Sequence, residues 1–379
     1  RGLGDVYKRQ ILRRGAERSR QRSTGAAAWP AKFSGQGIHV GVSQGASCLD
    51  RRNIAHLSST TGQLSAGIVV NPYITSVIAV TYQMTCTQKT PKPLRGRRIL
   101  VCGKGGSGKS TVVALMAAVL QRRSYEVVVL DGDASNPEGL VRLLFGLGVE
   151  GEPKPLIEFF GGIDVVTCPV DDPSSLTRIN DSKPVPAHRI DLFKELPAEY
   201  YLQTGGTTLL QAGKIETYGQ GCDGPLEKVV RDFMLQGDAV NLIDMKAGIE
   251  HFGRKIPDRM DVILGVLDYT YESVSIAKRM AEFCHQGGIR HFWLILNKIA
   301  SQEIESMIMD KLSDLQDKVI GAISYDQALI KAALSGNALG ECMALKEVEH
   351  IVERLEQVVP RQQEPKQRRA PAASTNGLA

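Results

Sequence analysis

Ile99-Leu100-Val101-Cys102-Gly103-Lys104-Gly105-Gly106-Ser107-Gly108-Lys109-Ser110-Thr111 is the stretch that decides the fold. Its first four residues are an apolar run of strand length. Gly103 to Gly108 form a loop that few residues other than glycine allow. Lys109-Ser110-Thr111 then open a helical pattern, VVALMAAVLQRR. The spacing from Gly103 through Gly108-Lys109-Ser110 satisfies G-x-x-x-x-G-K-[ST] in its required strand–loop–helix setting. Backbone N–H groups of such a loop turn inward around phosphate oxygens, and the helix N-terminus adds positive potential. In that arrangement Lys109 reaches the β and γ phosphates and Ser110 ligates Mg²⁺. A plain glycine-rich turn before a helix is the competing reading, and the flanking strand and helix argue against it.

Downstream, strand and helix patterns alternate, which implies an α/β fold with a doubly wound, mostly parallel sheet. Val127 to Leu130 reads as a buried strand leading into Asp131-Gly132-Asp133, and Gly139 to Leu147 as a short helix. Gly162 to Val170 reads as a further strand, and Tyr200 to Ile215 as a hairpin or strand around Gly205-Gly206. Pro225 to Leu235 is helical by its apolar spacing. Ala239 to Ile243 is a buried strand ending at Asp244. Val262 to Leu267, Phe292 to Leu296 and Val319 to Ile323 complete the set, with a helix over Glu272 to His285. Val348, Ile351, Val352 and Leu355 mark one face of a closing helix.

The chain has 379 residues and a formal charge of +5, but that basicity is uneven. Residues 1–97 hold 15 Lys/Arg against 3 Asp/Glu, and residues 360–379 hold 4 against 1. This leaves 27 basic and 37 acidic residues over 98–359, a net of −10. An acidic core argues against nucleic-acid binding, which calls for a basic stripe on the folded part. We expect three regions: a non-native or disordered extension over 1–97, an ATPase domain over 98–359, and a disordered tail over 360–379. RGLGDVYKRQ looks like translated adapter sequence, and Met84 is the expected natural start; an Arg-rich organelle-targeting segment is the alternative. The seven cysteines, Cys48, Cys86, Cys102, Cys168, Cys222, Cys284 and Cys342, form no CxxC pair and no disulfide framework. No run reaches the length of a membrane span. A reduced, cytoplasmic protein with no membrane association is expected.

Ligands of doubly wound sheets collect at the carboxyl ends of the strands. Four such ends carry polar residues: the glycine loop, Asp131/Asp133, Asp244 and Asn297-Lys298. A carboxylate after a strand serves equally as a helix N-cap. Behind a phosphate loop it also suits Mg²⁺ binding, directly or through water for Asp131, and the positioning of attacking water.

Lys104 adds specificity, because an ordinary phosphate loop needs no lysine directly after its first glycine. Lys104-Gly105-Gly106-Ser107-Gly108-Lys109-Ser110 resembles the deviant Walker A ATPases, whose P-loop NTPase fold is of the SIMIBI type. That superfamily includes septum-site and plasmid-partition ATPases, the nitrogenase iron protein and metal-insertion factors. The resemblance implies that Lys104 crosses a homodimer interface to touch the partner's nucleotide, that Asp133 orients attacking water, and that Asp244 opens the second switch. A solvated loop lysine is the plainer reading of Lys104. Within the superfamily, Asp244-Met245-Lys246-Ala247-Gly248-Ile249-Glu250-His251-Phe252-Gly253-Arg254 resembles the carbon monoxide dehydrogenase maturation ATPases, the CooC-type nickel-insertion factors. Gly213 to Glu216 and Gly219 to Cys222 look like that family's approach to its metal motif, and Leu296-Asn297-Lys298 like its base-reading strand end. The resemblance implies an ATP- and Mg²⁺-dependent homodimer serving a client metalloenzyme such as carbon monoxide dehydrogenase. Gly103, Gly105, Gly106, Thr111, Asn297 and Lys298 join the nucleotide-binding set.

Family members that bind nickel carry Cys-x-Cys before a proline, where this chain has Cys222-Asp223-Gly224-Pro225. Two Cys222 thiolates brought together in a dimer, with Asp223 or water, are left to hold Ni²⁺ or Zn²⁺. The other reading makes Cys222 a small buried loop residue. His251 reads either as a switch residue or as a hydrogen-bonded group near a loop. Lys246 has no account from sequence. Two competing functions remain: a partition or septum-site ATPase acting on DNA or membrane, and an iron–sulfur reductase. The latter lacks its second cysteine, since none follows Asp244 until Cys284.

Overall fold

A computed structural model describes residues 92–360. The expectations for Met84, for most of the N-terminal extension and for the tail beyond Pro360 lie outside the described residues.

One eight-stranded sheet organises the chain. Its strands are β1 (Arg98–Gly103), β2 (Val127–Gly132), β3 (Leu202–Thr204), β4 (Thr207–Gln211), β5 (Val240–Met245), β6 (Val262–Leu267), β7 (Phe292–Ile299) and β8 (Val319–Ser324). The order across the sheet is β3-β4-β2-β5-β1-β6-β7-β8. All pairs are parallel except β3–β4, the hairpin closed by Gly205-Gly206. Parallel strands covered on both faces lose the apolar–polar alternation and read as continuous apolar runs, which is why six of the eight strands are visible in the sequence.

Register divides each strand between two cores. Leu100, Leu130 and Ile243 face one side, and Val101, Val129 and Leu242 face the other. The helices are α1 (Lys109–Arg122), α2 (Gly139–Phe145), α3 (Leu156–Phe159), α4 (Leu192–Glu195), α5 (Gly224–Asp232), α6 (Glu250–Gly253), α7 (Tyr271–Gln286), α8 (Gln302–Leu312), α9 (Gln327–Ser335) and α10 (Met343–Val358). α1, α2 and α10 cover the Val101 side, while α3, α5, α7 and α8 cover the Leu100 side. The expected closing helix is α10: Leu345, Val348, Ile351, Val352 and Leu355 are all buried, each contributing about 1.5–3 kcal/mol of burial before entropy is counted.

Three expectations change. Gly162 to Val170 forms turns rather than a strand; positive φ at Gly161 and Gly162 (99° and 89°) starts it as a turn. Helices α8 and α9 were not foreseen, because their amphipathic faces are short; α9 buries no residue. The packed region begins before Arg98, since Leu94 is fully buried against the α1 side.

β1 sits between β5 and β6, so β1, β2 and β5 end side by side. Crevices at such carboxyl ends are where doubly wound sheets bind ligands.

Candidate nucleotide site

Two glycines of the loop are forced by their surroundings. Gly103 has φ +149°, and a Cβ there would lie 2.4 Å from the Val266 carbonyl oxygen. Gly108 has φ +94°, and a Cβ there would lie 2.2 Å from Asn297 Nδ2. Helix α1 follows directly and has no side-chain cap at its N-terminus. Its first-turn amides are therefore free to bind an anion. Lys109 is buried, and its Nζ donates to the Lys104 carbonyl at 3.2 Å, folded over the loop it would serve.

The three candidate carboxylates converge. Asp131 and Asp244 are register partners on β2 and β5, inside their strands rather than after them. Asp131 has both oxygens engaged: Oδ2 accepts from Lys214 Nζ at 2.8 Å and Oδ1 from the Asp133 amide at 3.0 Å. Lys214 also donates to the Asp133 carbonyl at 2.7 Å. Asp133 Oδ1 accepts from the amide and hydroxyl of Ser135. Asp244 differs. Its Oδ1 is buried with no partner among the described residues, and the Ser110 hydroxyl stands beside the carboxylate. An orphaned carboxylate oxygen next to a hydroxyl, at the foot of a phosphate loop, fits a hard divalent cation such as Mg²⁺.

Burial, reinforced by the Asp131 charge, pushes Asp244 up to about 7. An unfolded aspartate titrates near 4, so the metal-free folded chain holds more protons between about pH 4 and 7. Its stability therefore falls as pH rises through that window. Asp244→Asn removes this component. Denaturant titrations without Mg²⁺ should show the variant gaining on the wild type from about pH 5 to about pH 7; a pH-independent difference would contradict the assignment.

Lys104 points away from its own loop. Its Nζ donates to Thr270 Oγ1 at 3.0 Å, and Thr270 in turn donates to Asp268. Asn297 and Lys298 lie within β7, at the place where its pairing with β8 slips between Leu296 and Ile299. Lys298 has φ 62° there. Both side chains reach the loop, with Asn297 Nδ2 donating to the Ser107 carbonyl at 2.8 Å and Lys298 Nζ to the Gly106 carbonyl at 2.6 Å. Ser110 and Thr111 lie in the first turn of α1.

The segment after β5 connects this site to Cys222. The Gly248 amide donates to the Gly103 carbonyl at 3.2 Å. Lys246 and Arg254 then bracket α5: Lys246 pairs with Asp223 and Glu227, and Arg254 lies 3.1 Å from Asp223 Oδ1 and 2.7 Å from Glu227 Oε1. This answers the open question about Lys246. Burial alone would raise Asp223, but the two cations outweigh it and hold the carboxyl below its usual range. Both Asp223 oxygens are thus taken, so Asp223 is not a free ligand. Cys222 is exposed, contrary to the buried-loop reading. His251 is fully buried with neither ring nitrogen partnered among the described residues, and burial with the Lys246 and Lys109 charges pushes it down to about 3, so it is neutral.

Sequence reasoning had Lys214 only within the Gly213 to Glu216 resemblance and missed its partner, because nothing in a lysine after a strand announces a buried carboxylate on β2. It also missed what Cys168 meets. Cys168 lies far from Cys222 in the chain, yet a Cβ on Gly224 would lie 2.5 Å from its Sγ. Among the described residues no helix is long and apolar enough to cross a membrane.

Residues 99–339 match the family model described as the CobQ/CobB/MinD/ParA nucleotide binding domain. An uncharacterized ATP-binding protein of Methanocaldococcus jannaschii is 33% identical over 261 residues, which cover 68% of this chain and 98% of that protein. The carbon monoxide dehydrogenase accessory protein CooC of Rhodospirillum rubrum is 28% identical over 243 residues, 63% of this chain and 88% of that one. Among solved structures, the cell division ATPase MinD of Pyrococcus furiosus superposes with a TM-score of 0.45 at 19% identity, covering 69% of this chain and 99% of that one. With its phosphate loop, paired strand-end carboxylates and parallel sheet, the chain belongs to the CobQ/CobB/MinD/ParA nucleotide-binding family and is an ATP-binding ATPase of the deviant Walker A kind.

Proposed function

We propose that the chain is a Mg²⁺-dependent homodimeric ATPase that serves the maturation of a metalloenzyme, delivering nickel to a client of the carbon monoxide dehydrogenase type. One observation carries this reading: the segment after β5 ties the phosphate loop to Asp223, the residue that follows the exposed Cys222. Gly248 of that segment donates to Gly103, and its Lys246 and Arg254 pair with Asp223 and Glu227. A change at the γ-phosphate that moves Gly248 therefore bears on the ion pairs that hold the thiol loop. The 28% identity to an accessory protein of carbon monoxide dehydrogenase, over most of that protein's length, agrees with it.

In this reading the loop amides and Lys109 would hold the phosphates, Ser110 and Asp244 would hold the cation, and Asp133 would orient the attacking water, while Asp131, both of whose oxygens are engaged by Lys214 and the Asp133 amide, stands behind them. When bound there, Mg²⁺ would supply charge neutralisation for the transferring phosphoryl group. Lys104 leaves Thr270 and reaches the nucleotide of the partner subunit, while Asn297 and Lys298 border the base. Little covalent chemistry is asked of the protein; positioning and charge supply the rate.

The test is co-expression with a nickel-dependent carbon monoxide dehydrogenase in a host without its own accessory ATPase. The wild-type chain should raise nickel content in the purified client, and Lys109→Gln should not. No rise with the wild type, together with ATP-dependent binding to DNA or anionic vesicles, would overturn the reading in favour of a positioning ATPase.

A further inference from the structure

We propose that His251 is a positioning residue for ATP hydrolysis, tying a shift of residues 248–255 to ATP rather than ADP. In the conformation described its ring is buried without a hydrogen bond, and it gains one when a bound γ-phosphate draws the segment to a second position. The proposal concerns the ATPase itself and does not depend on the client.

The segment packs inward through one residue, and that residue is polar. Of residues 248–255, His251 alone is buried, at 0% exposure; Glu250, Gly253 and Lys255 are exposed and the rest half-buried. A short helix that anchors itself through one side chain ordinarily uses an apolar one. Here it is an imidazole whose Nδ1 and Nε2 both lack a partner among the described residues. A polar group buried in that way bears its full desolvation cost. The ring stays neutral, because burial and the charges of Lys246, Lys109 and Arg254 all oppose a proton. A neutral imidazole has one donor and one acceptor, so it can gain a hydrogen bond in either sense.

The segment is also built to move. Both of its ends lie in the left-handed region, Gly248 at φ +104° and Lys255 at φ 55°. Lysine is disfavoured there, and residues held so cluster in switch regions. The inner edge leans on the start of the phosphate loop, through the Gly248 amide on the Gly103 carbonyl. Just before it, the Ala247 Cβ lies 3.5 Å from the position a Cβ on Gly105 would take. The outer edge is Phe252, whose ring centroid is 4.8 Å from that of His251 and 5.5 Å from that of Phe283. Beyond Phe252 is an open groove of about 810 Å³ that Gly253 and Lys255 also line, so the segment can turn without displacing the packed core. The ion pairs of Lys246 and Arg254 with Glu227 hold the present position. ATP competes with that hold at the loop, and the bond that His251 gains adds to ATP's side. A ligand shifts such an equilibrium only by its differential affinity for the two positions, and His251 enlarges that difference.

The test uses the full chain with Mg²⁺ and compares ADP with a non-hydrolysable ATP analogue. His251→Phe keeps a flat ring, His251→Leu comes close to the original volume, and His251→Gln keeps a donor and an acceptor. Without nucleotide, at least one apolar variant should unfold at higher denaturant concentration than the wild type, since it no longer buries an unpaired group. The preference for the analogue over ADP should fall about tenfold in the apolar variants, inside the usual range of coupling, and be largely retained in His251→Gln. Hydrogen exchange over residues 248–255 should differ between the two nucleotides in the wild type and in His251→Gln, and hardly differ in the apolar variants. Apolar variants less stable than the wild type, with an unchanged preference for the analogue, would reduce His251 to packing and overturn the proposal. Identical wild-type exchange over 248–255 with both nucleotides would overturn it as well, whatever the variants do.

Discussion

Lys104→Ala is expected to bind ATP with nearly the wild-type affinity while losing ATP-dependent dimerisation, and its turnover is expected to fall about a thousandfold or more, the scale of a cation supplied in trans to phosphoryl transfer. The geometry separates the two loop lysines. Lys109 folds over the loop and touches its backbone, which places it to serve the nucleotide of its own chain. Lys104 turns outward to Thr270, with the Asp268 carboxylate behind as counter-charge. Burial would raise Asp268, but its hydrogen bonds with Thr270 and the charge of Lys104 hold it below its usual range. The lysine is thus parked, charged, at the surface where β6 gives way to α7. Tyr269 and Tyr271, 60% and 74% exposed, flank Thr270. Exposed tyrosines beside a parked cation are what a contact between two copies calls for. Nucleotide titration, light scattering with and without ATP, and phosphate release check the three parts separately. A Lys104→Ala protein that hydrolyses ATP at the wild-type rate as a monomer would end the trans role. Lys109→Ala, in contrast, should lose nucleotide binding itself.

The parts of this molecule legible in the sequence are those governed by neighbours along the chain. The phosphate loop was readable because strand, glycines and helix are contiguous, and the buried strands because β1, β2, β5, β6 and β7 are covered on both faces and stay apolar throughout. The site was readable to the same depth: Asp131 and Asp244 come at equivalent points of two such strands. What the chain order conceals is what each side chain meets. Asn297 was placed at a strand end, but β7 continues to Ile299 through an irregular pairing with β8, and its carboxamide reaches the Ser107 carbonyl. Lys246 looked anomalous because Asp223 and Glu227, which it pairs with, lie on another element. The contact of Cys168 with Gly224 was hidden for the same reason, since the two lie on separate segments and Gly224 carries no side chain.

Lys214 shows how much such a hidden contact weighs, and Lys214→Met is expected to destabilise the chain by about 3–5 kcal/mol, the scale of a buried ion pair that loses one member. Lys214 and Asp131 are both buried, with side chains 6% and 7% exposed, and Nζ bridges Asp131 Oδ2 and the Asp133 carbonyl. Removing the ammonium leaves Asp131 in a dry sheet end with the Asp244 carboxylate as its register neighbour. Two carboxylates there disfavour ionisation of both. In the variant Asp131 is therefore held protonated well above the usual aspartate range, whereas the unfolded chain gives up that proton near pH 4. The folded variant then binds more protons than the unfolded one above pH 4, so its deficit grows as pH rises and shrinks toward about pH 4. Asp131→Asn added to Lys214→Met replaces the stranded charge with a neutral amide, and should recover most of the loss and flatten its pH dependence. Denaturant titrations of the wild type, both single variants and the double variant form a cycle that isolates the pair. Additive losses with no pH dependence would mean that Lys214 contributes packing alone. Coupling of several kcal/mol would establish that the end of β2, on which Asp133 depends for its position, is held by a lysine from the far side of the β3–β4 hairpin.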